Sequence, residues 1–366
     1  GTTVFRPPYI PLSLDAVVGQ HIGKNLKPIR LTPTHNWAKA NGASFTESGL
    51  WLRAEWYSKK SEKKWRESVD REVISVRNSV GFCDVSTLGK IDIQGRDAQD
   101  FINKIYSNGF AKLPIGKVRY GLMLREDGIV MDDGTTARMS ENHFIMTTTT
   151  INAESVYRHL EFCHQCLWPK MDVHLISTTD AWAQIAIAGP NSRKVISKIL
   201  DKEFDISNEK FPFMSCKELT ICGGITARLF RISFSGELAY ELSLPTQYAS
   251  SFVSYLMNVG KEENIIPYGT EALGVMRIEK GHAAGAELNG TISALNLNME
   301  KMVSPQKDSI GMILSKREGL CLPDGLRLIG LKPINPKNQL ISGSHLFNEN
   351  ENRLPENDLG YVTSSC

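Results

Sequence analysis

The apolar residues of this chain recur with two different periods. Residues 60–80 carry apolar side chains three and four positions apart, which is typical of one buried face of a helix. The same spacing and helix-capping residues predict further helices over segments 97–105, 156–163, 191–200, 252–260 and 270–281. Between the helices, alternation with a period of two predicts strands. Tyr240-Glu241-Leu242-Ser243-Leu244 shows this alternation most clearly.

Turn signals separate several of the predicted strands. Glu126-Asp127-Gly128 lies between the apolar runs 120–124 and 134–139, and Gly223-Gly224 lies between 219–222 and 225–233. Each arrangement predicts a β-hairpin. Because hairpins dominate over strict strand–helix–strand alternation, the pattern predicts an α+β fold with antiparallel sheets.

The chain has 366 residues, which predicts two or three packed domains. Residues 1–35 are rich in Pro and lack a helical period, so we expect an extended arm or linker there. Residues 36–305 hold the predicted helices and hairpins. After about residue 305 the chain turns to short apolar runs with Gly, Pro and Asn, which predicts a small C-terminal β domain over 306–366.

Composition narrows the function classes. A net charge of +2 without a long basic block argues against a nucleic-acid partner. The sequence contains no run of about 18 apolar residues, so no membrane span is predicted. The seven Cys residues are scattered, which fits a reducing cytoplasm better than a disulfide scaffold. Neither of the glycine-rich phosphate loops of dinucleotide and triphosphate sites occurs.

Cys163-His164-Gln165-Cys166 is the cluster most suggestive of a metal or redox site. A zinc site needs a second ligand pair at similar spacing, and none follows along the chain. A redox pair would open a helix after a strand, whereas this pair closes a predicted helix. We therefore expect these residues to be structural and predict no metal site.

Five motifs follow one another along the chain. They are GFCDVSTLGK at 81–90, GKVRY at 116–120 with EDGIVMDD at 126–133, IAGP at 187–190, RISFSGELAYE at 231–241 and RIEKG at 277–281. Together, in this order and spacing, they resemble the aminomethyltransferase family. This family includes the glycine-cleavage T-protein and the folate-binding halves of sarcosine and dimethylglycine oxidases. The resemblance implies a multi-domain cloverleaf with antiparallel sheets and a barrel-like C-terminal β domain.

Other segments are similar to the C-terminal half of heterotetrameric sarcosine oxidase alpha subunits. They include FRPPY at 5–9, TPTHNW at 32–37 and PYGTE at 267–271. The resemblance implies that the chain is a fragment cut at both ends. It also implies that the NAD and flavin sites lie on missing regions or on partner subunits, so that other oxidase subunits are expected partners.

The resemblance also implies a tetrahydrofolate site and the residues that form it. A pterin presents an N3–H and a 2-amino group side by side, and one carboxylate can accept both. By resemblance that carboxylate is Glu241; from the residues alone, Glu241 faces away from Tyr240 and Leu242, towards a cavity or towards solvent. Asp133 matches the family's active-site Asp, which would stabilise a cationic iminium or move a proton. Tyr120 would line the same pocket.

Three apolar or small side chains complete the implied site. Leu88, Thr148 and Leu273 match positions that line the folate pocket of the family. The T-protein has Met at the first of these positions and, beside its substrate arm, Arg at the last. The replacement by Leu273 argues against an aminomethyl-lipoyl substrate and for the oxidase branch.

These observations leave three functions open. The first is a site that traps the imine or formaldehyde from oxidative demethylation of sarcosine as 5,10-methylenetetrahydrofolate. The second is a self-contained folate-dependent aminomethyl- or methyltransferase. The third is a folate-binding module without chemistry. Substitution of Asp133 separates the last of these from the enzymes, because only a catalytic role would lose activity.

Overall fold

The computed structural model of this chain describes residues 30–201, 204–335 and 338–366. Most of the predicted N-terminal arm, residues 1–29, therefore lies outside the described residues. The α-helices of the described part are α1 His35–Ala40, α2 Trp65–Asn78, α3 Ala98–Ile105, α4 Ala153–Phe162, α5 Ser192–Ile199, α6 Ala249–Val259 and α7 Thr270–Lys280. The first strands are β1 Arg30–Leu31, β2 Ala43–Ser48, β3 Trp51–Tyr57, β4 Gly81–Asp84, β5 Gly89–Gln94, β6 Lys117–Leu124, β7 Val130–Ser140 and β8 His143–Thr148. The remaining strands are β9 His174–Ser177, β10 Trp182–Ala188, β11 Cys216–Ile221, β12 Ile225–Phe230, β13 Ala239–Pro245, β14 Ile266–Pro267, β15 His345–Leu346 and β16 Gly360–Tyr361.

The largest sheet has six strands in the order β11-β12-β13-β10-β4-β14. It is antiparallel except at β14, which runs parallel to β4. One face buries Ile185, Leu229 and Leu242 against the apolar sides of α5 and α6. Since side chains alternate along a strand, the opposite face carries Gln184, Arg228 and the odd-numbered residues of β13.

A second sheet of five strands has the order β6-β7-β8-β5-β9 and is antiparallel throughout. Phe101, Ile102 and Ile105 of α3 and Val156 and Leu160 of α4 pack on it and form a separate core. Helix α4 continues into a π-helical turn, Cys163–Leu167, in which Cys163 is buried and Cys166 is exposed.

The connection 85–88 joins the two sheets, because it leaves β4 of the six-stranded sheet and enters β5 of the five-stranded sheet. Helices α2 and α7 pack beside this connection, with Val69, Val76 and Met276 in one apolar cluster. A smaller sheet, β1-β3-β2, lies at the N-terminal end of the described chain. The junction between the two large sheets is therefore built from residues far apart in sequence.

The structure confirms the α+β fold and both predicted hairpins, β6–β7 and β11–β12. The hairpin β2–β3 was not predicted. Its strands mix charged and apolar residues, and most of their side chains are only half-buried, so no clear period marks them.

The C-terminal segment differs from the predicted barrel-like domain. In the described part of 306–366, the only strands are the two-residue pair β15 and β16, joined by turns and short 3-10 helices. Gly, Pro and Asn recur through this segment and favour turns over ladders. Many of its large apolar side chains, among them Ile329 and Ile341, are exposed.

Candidate functional site

Glu241 stands on the polar face of the six-stranded sheet. Its neighbours Tyr240 and Leu242 are fully buried in the core on the other face. Register places Glu241 opposite Ala186 of β10 and Phe230 of β12. The alternation along β13 left open whether Glu241 faces a cavity or solvent. In the structure Glu241 is half-buried and faces the junction between the sheets.

One hydrogen bond holds the Glu241 carboxylate in place. The side-chain amide of Gln184, from β10, donates to Oε2. In the described residues no second donor lies within hydrogen-bond distance of this carboxylate. Burial raises the pKa of Glu241 to about 7, although the hydrogen bond from Gln184 and the charge of Lys90 act in the opposite direction. A partly buried carboxylate with free acceptor capacity is suited to a ligand that brings N–H donors.

Asp133 and Tyr120 form a pair on the hairpin β6–β7. The Tyr120 hydroxyl donates to Asp133 Oδ2 at 2.7 Å. Burial raises the pKa of Asp133 to about 6, while the hydrogen bond from Tyr120 lowers it and the charge of Asp132 raises it further. Asp133 is therefore largely ionised at neutral pH and can accept a proton or face a cation. The structure brings these two predicted residues together.

Asp132 has a structural role that differs from that of its neighbour. It is fully buried, and it accepts hydrogen bonds from the backbone and hydroxyl of Thr149 and from Asn152. These contacts fix the turn between β8 and α4. Consecutive residues of a strand point to opposite faces, so Asp132 anchors the turn while Asp133 pairs with Tyr120.

The other predicted residues lie around the connection 85–88. Thr148, buried at the end of β8, pairs with Gly89 at the start of β5, directly after Leu88. A side chain at Gly89 would collide with the Thr148 hydroxyl, so glycine allows this close approach. Leu88 and Leu273 of α7 pack on one apolar cluster, which also holds Ala186 of β10.

The predicted residues therefore come from both large sheets. Asp133, Tyr120 and Thr148 belong to the five-stranded sheet, and Glu241 belongs to the six-stranded sheet. Leu88 lies on the connection between the sheets. No hydrogen bond or ion pair among the described residues joins Asp133 to Glu241, so the two carboxylates stand as separate polar centres.

Sequence reasoning missed a buried ion pair that links the two sheets. Asp92 of β5 accepts hydrogen bonds from Arg228 of β12, His143 of β8 and Thr178. The guanidinium of Arg228 also lies 4.0 Å from the Trp182 ring centroid. The signal available in the sequence was the charged pair Lys90 and Asp92, alternating with Ile91 and Ile93 in a strand that otherwise reads as buried.

Arg277 and Glu279, two charged residues of the motif at 277–281, contact other partners rather than each other. Arg277 pairs with Glu287 at 2.8 Å and also donates to Ser364. Glu279 pairs with Arg77 of α2. Both residues therefore tie α7 to neighbouring segments.

The described residues lack both a membrane-spanning helix and a metal-binding cluster. No helix in them is long and apolar enough to cross a membrane. They also contain no group of three or more His, Cys, Asp and Glu side chains placed to hold a metal ion.

The protein is thus an α+β domain with two large sheets. A carboxylate lies at the junction of these sheets, and a Tyr–Asp pair lies on the five-stranded sheet. Residues 34–307 match the family model described as the GCVT N-terminal domain, and the chain belongs to this family. The crystal structure of the glycine cleavage system aminomethyltransferase T from Bartonella henselae has the same fold. It superposes with a TM-score of 0.67 at 20% identity, over 78% of this chain and 73% of that one.

Two groups of relatives are similar in sequence. The chain is 53% identical over 368 residues to the sarcosine oxidase subunit alpha of Rhizobium meliloti, covering 100% of this chain and 37% of that protein. It is 30% identical over 264 residues to the aminomethyltransferase of Thermoanaerobacter sp., covering 69% of this chain and 68% of that protein. The chain thus spans well under half the length of the sarcosine oxidase subunit that it matches.

Proposed function

We propose that this chain binds tetrahydrofolate and carries out one-carbon transfer within a sarcosine oxidase-type enzyme. The observation that carries the proposal is the Glu241 carboxylate, half-buried at the sheet junction with Gln184 as its only described donor. Membership in the GCVT family and 53% identity to a sarcosine oxidase alpha subunit support the same function.

The residues present fit a reduced pterin. Its N3–H and 2-amino group are adjacent donors, and Glu241 has the free acceptor capacity to receive them. Leu88 and Leu273 supply an apolar wall, and Thr148 and Tyr120 lie on the adjoining sheet. When bound, tetrahydrofolate would supply the N5 and N10 nitrogens that hold a one-carbon unit.

Asp133 is the residue proposed for the chemistry. Its carboxylate, oriented by Tyr120, would stabilise positive charge on an incoming iminium or accept a proton released during transfer. A pKa of about 6 keeps it in the basic form at neutral pH. Asp132, which is occupied by Thr149 and Asn152, is not available for this role.

The proposed substrate is the imine, or the formaldehyde derived from it, that arises when sarcosine is oxidised. Trapping formaldehyde on tetrahydrofolate gives 5,10-methylenetetrahydrofolate and one water. The oxidation itself would take place at a flavin on a partner subunit, and NAD would bind outside this chain. Leu273, in place of the Arg of T-proteins, favours this substrate over an aminomethyl-lipoyl arm.

Calorimetric titration of tetrahydrofolate into the 366-residue chain, under anaerobic conditions, tests the binding site. Glu241→Gln should weaken binding at least tenfold, which corresponds to about 1.4 kcal/mol. The control is Glu218→Gln, on β11 of the same sheet, whose carboxylate is exposed and should leave affinity unchanged. Equal affinity in wild type and Glu241→Gln would remove Glu241 from the site.

Asp133→Asn tests the chemistry. The amide keeps an acceptor for the Tyr120 hydroxyl but cannot take a proton, so folate affinity should stay within about threefold while transfer falls by about a hundredfold or more. The assay is the formation of 5,10-methylenetetrahydrofolate from formaldehyde and tetrahydrofolate, measured against the uncatalysed rate. Unchanged transfer in the variant would remove Asp133 from the chemistry. A wild-type rate no higher than the uncatalysed rate would leave a folate-binding module without chemistry as the better description.

A further inference from the structure

Strand β5 buries two charged side chains on one face. Ile91 and Ile93 point into the core of the five-stranded sheet, so Lys90 and Asp92 point the opposite way, towards the six-stranded sheet. Lys90 is only 2% exposed. Removing an ammonium group from water is unfavourable unless its protons are bonded, so the position of Lys90 calls for a specific set of partners.

The partners of Lys90 are backbone carbonyls of the connection between the sheets. Its Nζ donates to Ser86 O at 2.7 Å and to Leu88 O at 3.0 Å. Among the described residues no carboxylate lies within 4.0 Å of Nζ. The ammonium therefore fixes the segment that carries Leu88. Its charge interacts with Asp84, Asp180 and Glu241 at longer range than a contact.

The Lys90 charge also acts on Glu241 across the junction. Burial lowers the pKa of Lys90 to about 8, so the side chain is still largely charged at neutral pH. Its charge acts against the burial that raises the pKa of Glu241. Lys90 thus favours the ionised carboxylate, which is the form that accepts two N–H donors.

We propose that Lys90 is a positioning residue of this site, which fixes the connection bearing Leu88 and places a positive charge at the junction that Glu241 faces, for a ligand with two adjacent N–H donors. The inference rests on the proposed function, because it takes Glu241 to be the carboxylate that receives the pterin.

Two charged side chains near this site are the same in the wild type and in every variant of the test. They are Arg228, on the same sheet face in the neighbouring strand β12, and Asp84 of β4, which acts on Lys90. Apart from Lys90, the other neighbours of Glu241 are uncharged. Gln184 is neutral. Burial raises the pKa of Cys83 to about 12 and that of Tyr268 well above its ordinary value. Lys90 is the cation whose charge acts on the pKa of Glu241, so its substitution tests that effect while the other charges stay the same.

The experiment measures tetrahydrofolate affinity by anaerobic calorimetry between about pH 6 and pH 8. Lys90→Gln retains a donor for the two carbonyls but removes the charge, and Lys90→Arg retains the charge. The matched control is Lys307→Gln. Lys307 also donates its ammonium to backbone carbonyls and also has a pKa lowered by burial to about 8, but it bonds to residues 103, 106 and 108 instead. Thermal melting checks the fold of each variant.

In the wild type, affinity should rise with pH through about 7 as Glu241 ionises. Lys90→Gln should move this midpoint upward by about one unit, so that affinity at pH 7 falls several-fold. Lys90→Arg should restore the midpoint, and Lys307→Gln should leave it where it is. If Lys90→Gln does not fold, the pH profile of Lys90→Met, which also lacks the charge, is measured in its place.

Two results would overturn the inference. One is binding by Lys90→Gln that equals the wild type at every pH. The other is weaker binding with an unmoved midpoint, which would make Lys90 a structural clamp without an electrostatic role. If the wild type itself binds no tetrahydrofolate, the proposed function fails instead, and the two failures are therefore distinguishable.

Discussion

The ion pair between the two large sheets gives the sharpest test of how this fold is held together. Asp92 accepts hydrogen bonds from Arg228 at 3.0 and 3.2 Å, from His143 at 2.9 Å and from Thr178 at 3.0 Å. The Asp92 and Arg228 side chains are only 6% and 9% exposed. Asp92→Ala would remove every one of these bonds and leave the guanidinium buried.

The expected loss follows from that burial. Removing one partner of a buried pair typically costs about 3–5 kcal/mol, because the remaining charge has lost its compensation. The nearest remaining acid is Glu218, whose Oε2 lies 3.6 Å from Arg228 Nε and which is half-exposed. By the same reasoning, the double variant Asp92→Leu with Arg228→Met should be destabilised by much less than Asp92→Ala.

Urea unfolding, followed by circular dichroism and by tryptophan fluorescence, measures these free energies. The control is Asp70→Ala, which breaks an ion pair with Arg66 of the same 3.0 Å length between exposed side chains of α2. That variant should lose no more than about 0.5 kcal/mol. A loss below about 1 kcal/mol for Asp92→Ala, or equal losses for Asp92→Ala and Asp70→Ala, would refute the argument from burial.

The pH dependence provides a second check on the same pair. Burial acts to raise the pKa of Asp92, but hydrogen bonds from His143 and Arg228 outweigh it and leave the pKa lowered. A lowered native pKa stabilises the fold above the unfolded-state value of about 4 and loses that contribution as the pH falls through the native value. The free energy of unfolding of Asp92→Ala should therefore fall less steeply than that of the wild type as the pH drops below about 4.

Two further substitutions test the Tyr–Asp hairpin. Tyr120→Phe removes the hydrogen bond that lowers the pKa of Asp133, so the pH–rate profile of one-carbon transfer should shift upward from about 6 by roughly half a unit or more. An unchanged profile would show that ionisation of Asp133 does not control the rate. Gly134→Ala would place a Cβ 2.0 Å from the carbonyl oxygen of Thr147, so it should lower stability by about 2 kcal/mol or more. Gly109→Ala, where a Cβ would meet no atom within 4 Å, serves as its control in thermal melting, and equal melting temperatures would contradict the steric argument.

Local sequence patterns determined the elements of this protein that depend on near neighbours. The alternation at 240–244 predicted the strand that carries Glu241, and Asp127-Gly128 predicted the hairpin β6–β7. Periodic apolar residues predicted the helices that pack on each sheet. Such features follow from side-chain direction and turn geometry, which extend over only a few residues.

The sequence could not distinguish the roles of two adjacent acids. Asp132 and Asp133 are identical in type and next to each other. Their different surroundings come from Thr149 and Asn152 of the following turn and from Tyr120 of the preceding strand. The family motif singled out Asp133, whereas the physical reason for the choice is visible only in the contacts.

Only the tertiary structure decided how the two large sheets meet. Lys90 and Asp92 are ordinary strand residues in the sequence. In the structure they are buried charges whose partners include Arg228 of the other sheet and the connection between the sheets. The pairing of Asp92 with Arg228 spans 136 positions of the chain. A local pattern fixes which way a side chain points, but the energy of a buried charge depends on partners that come together only when distant segments pack.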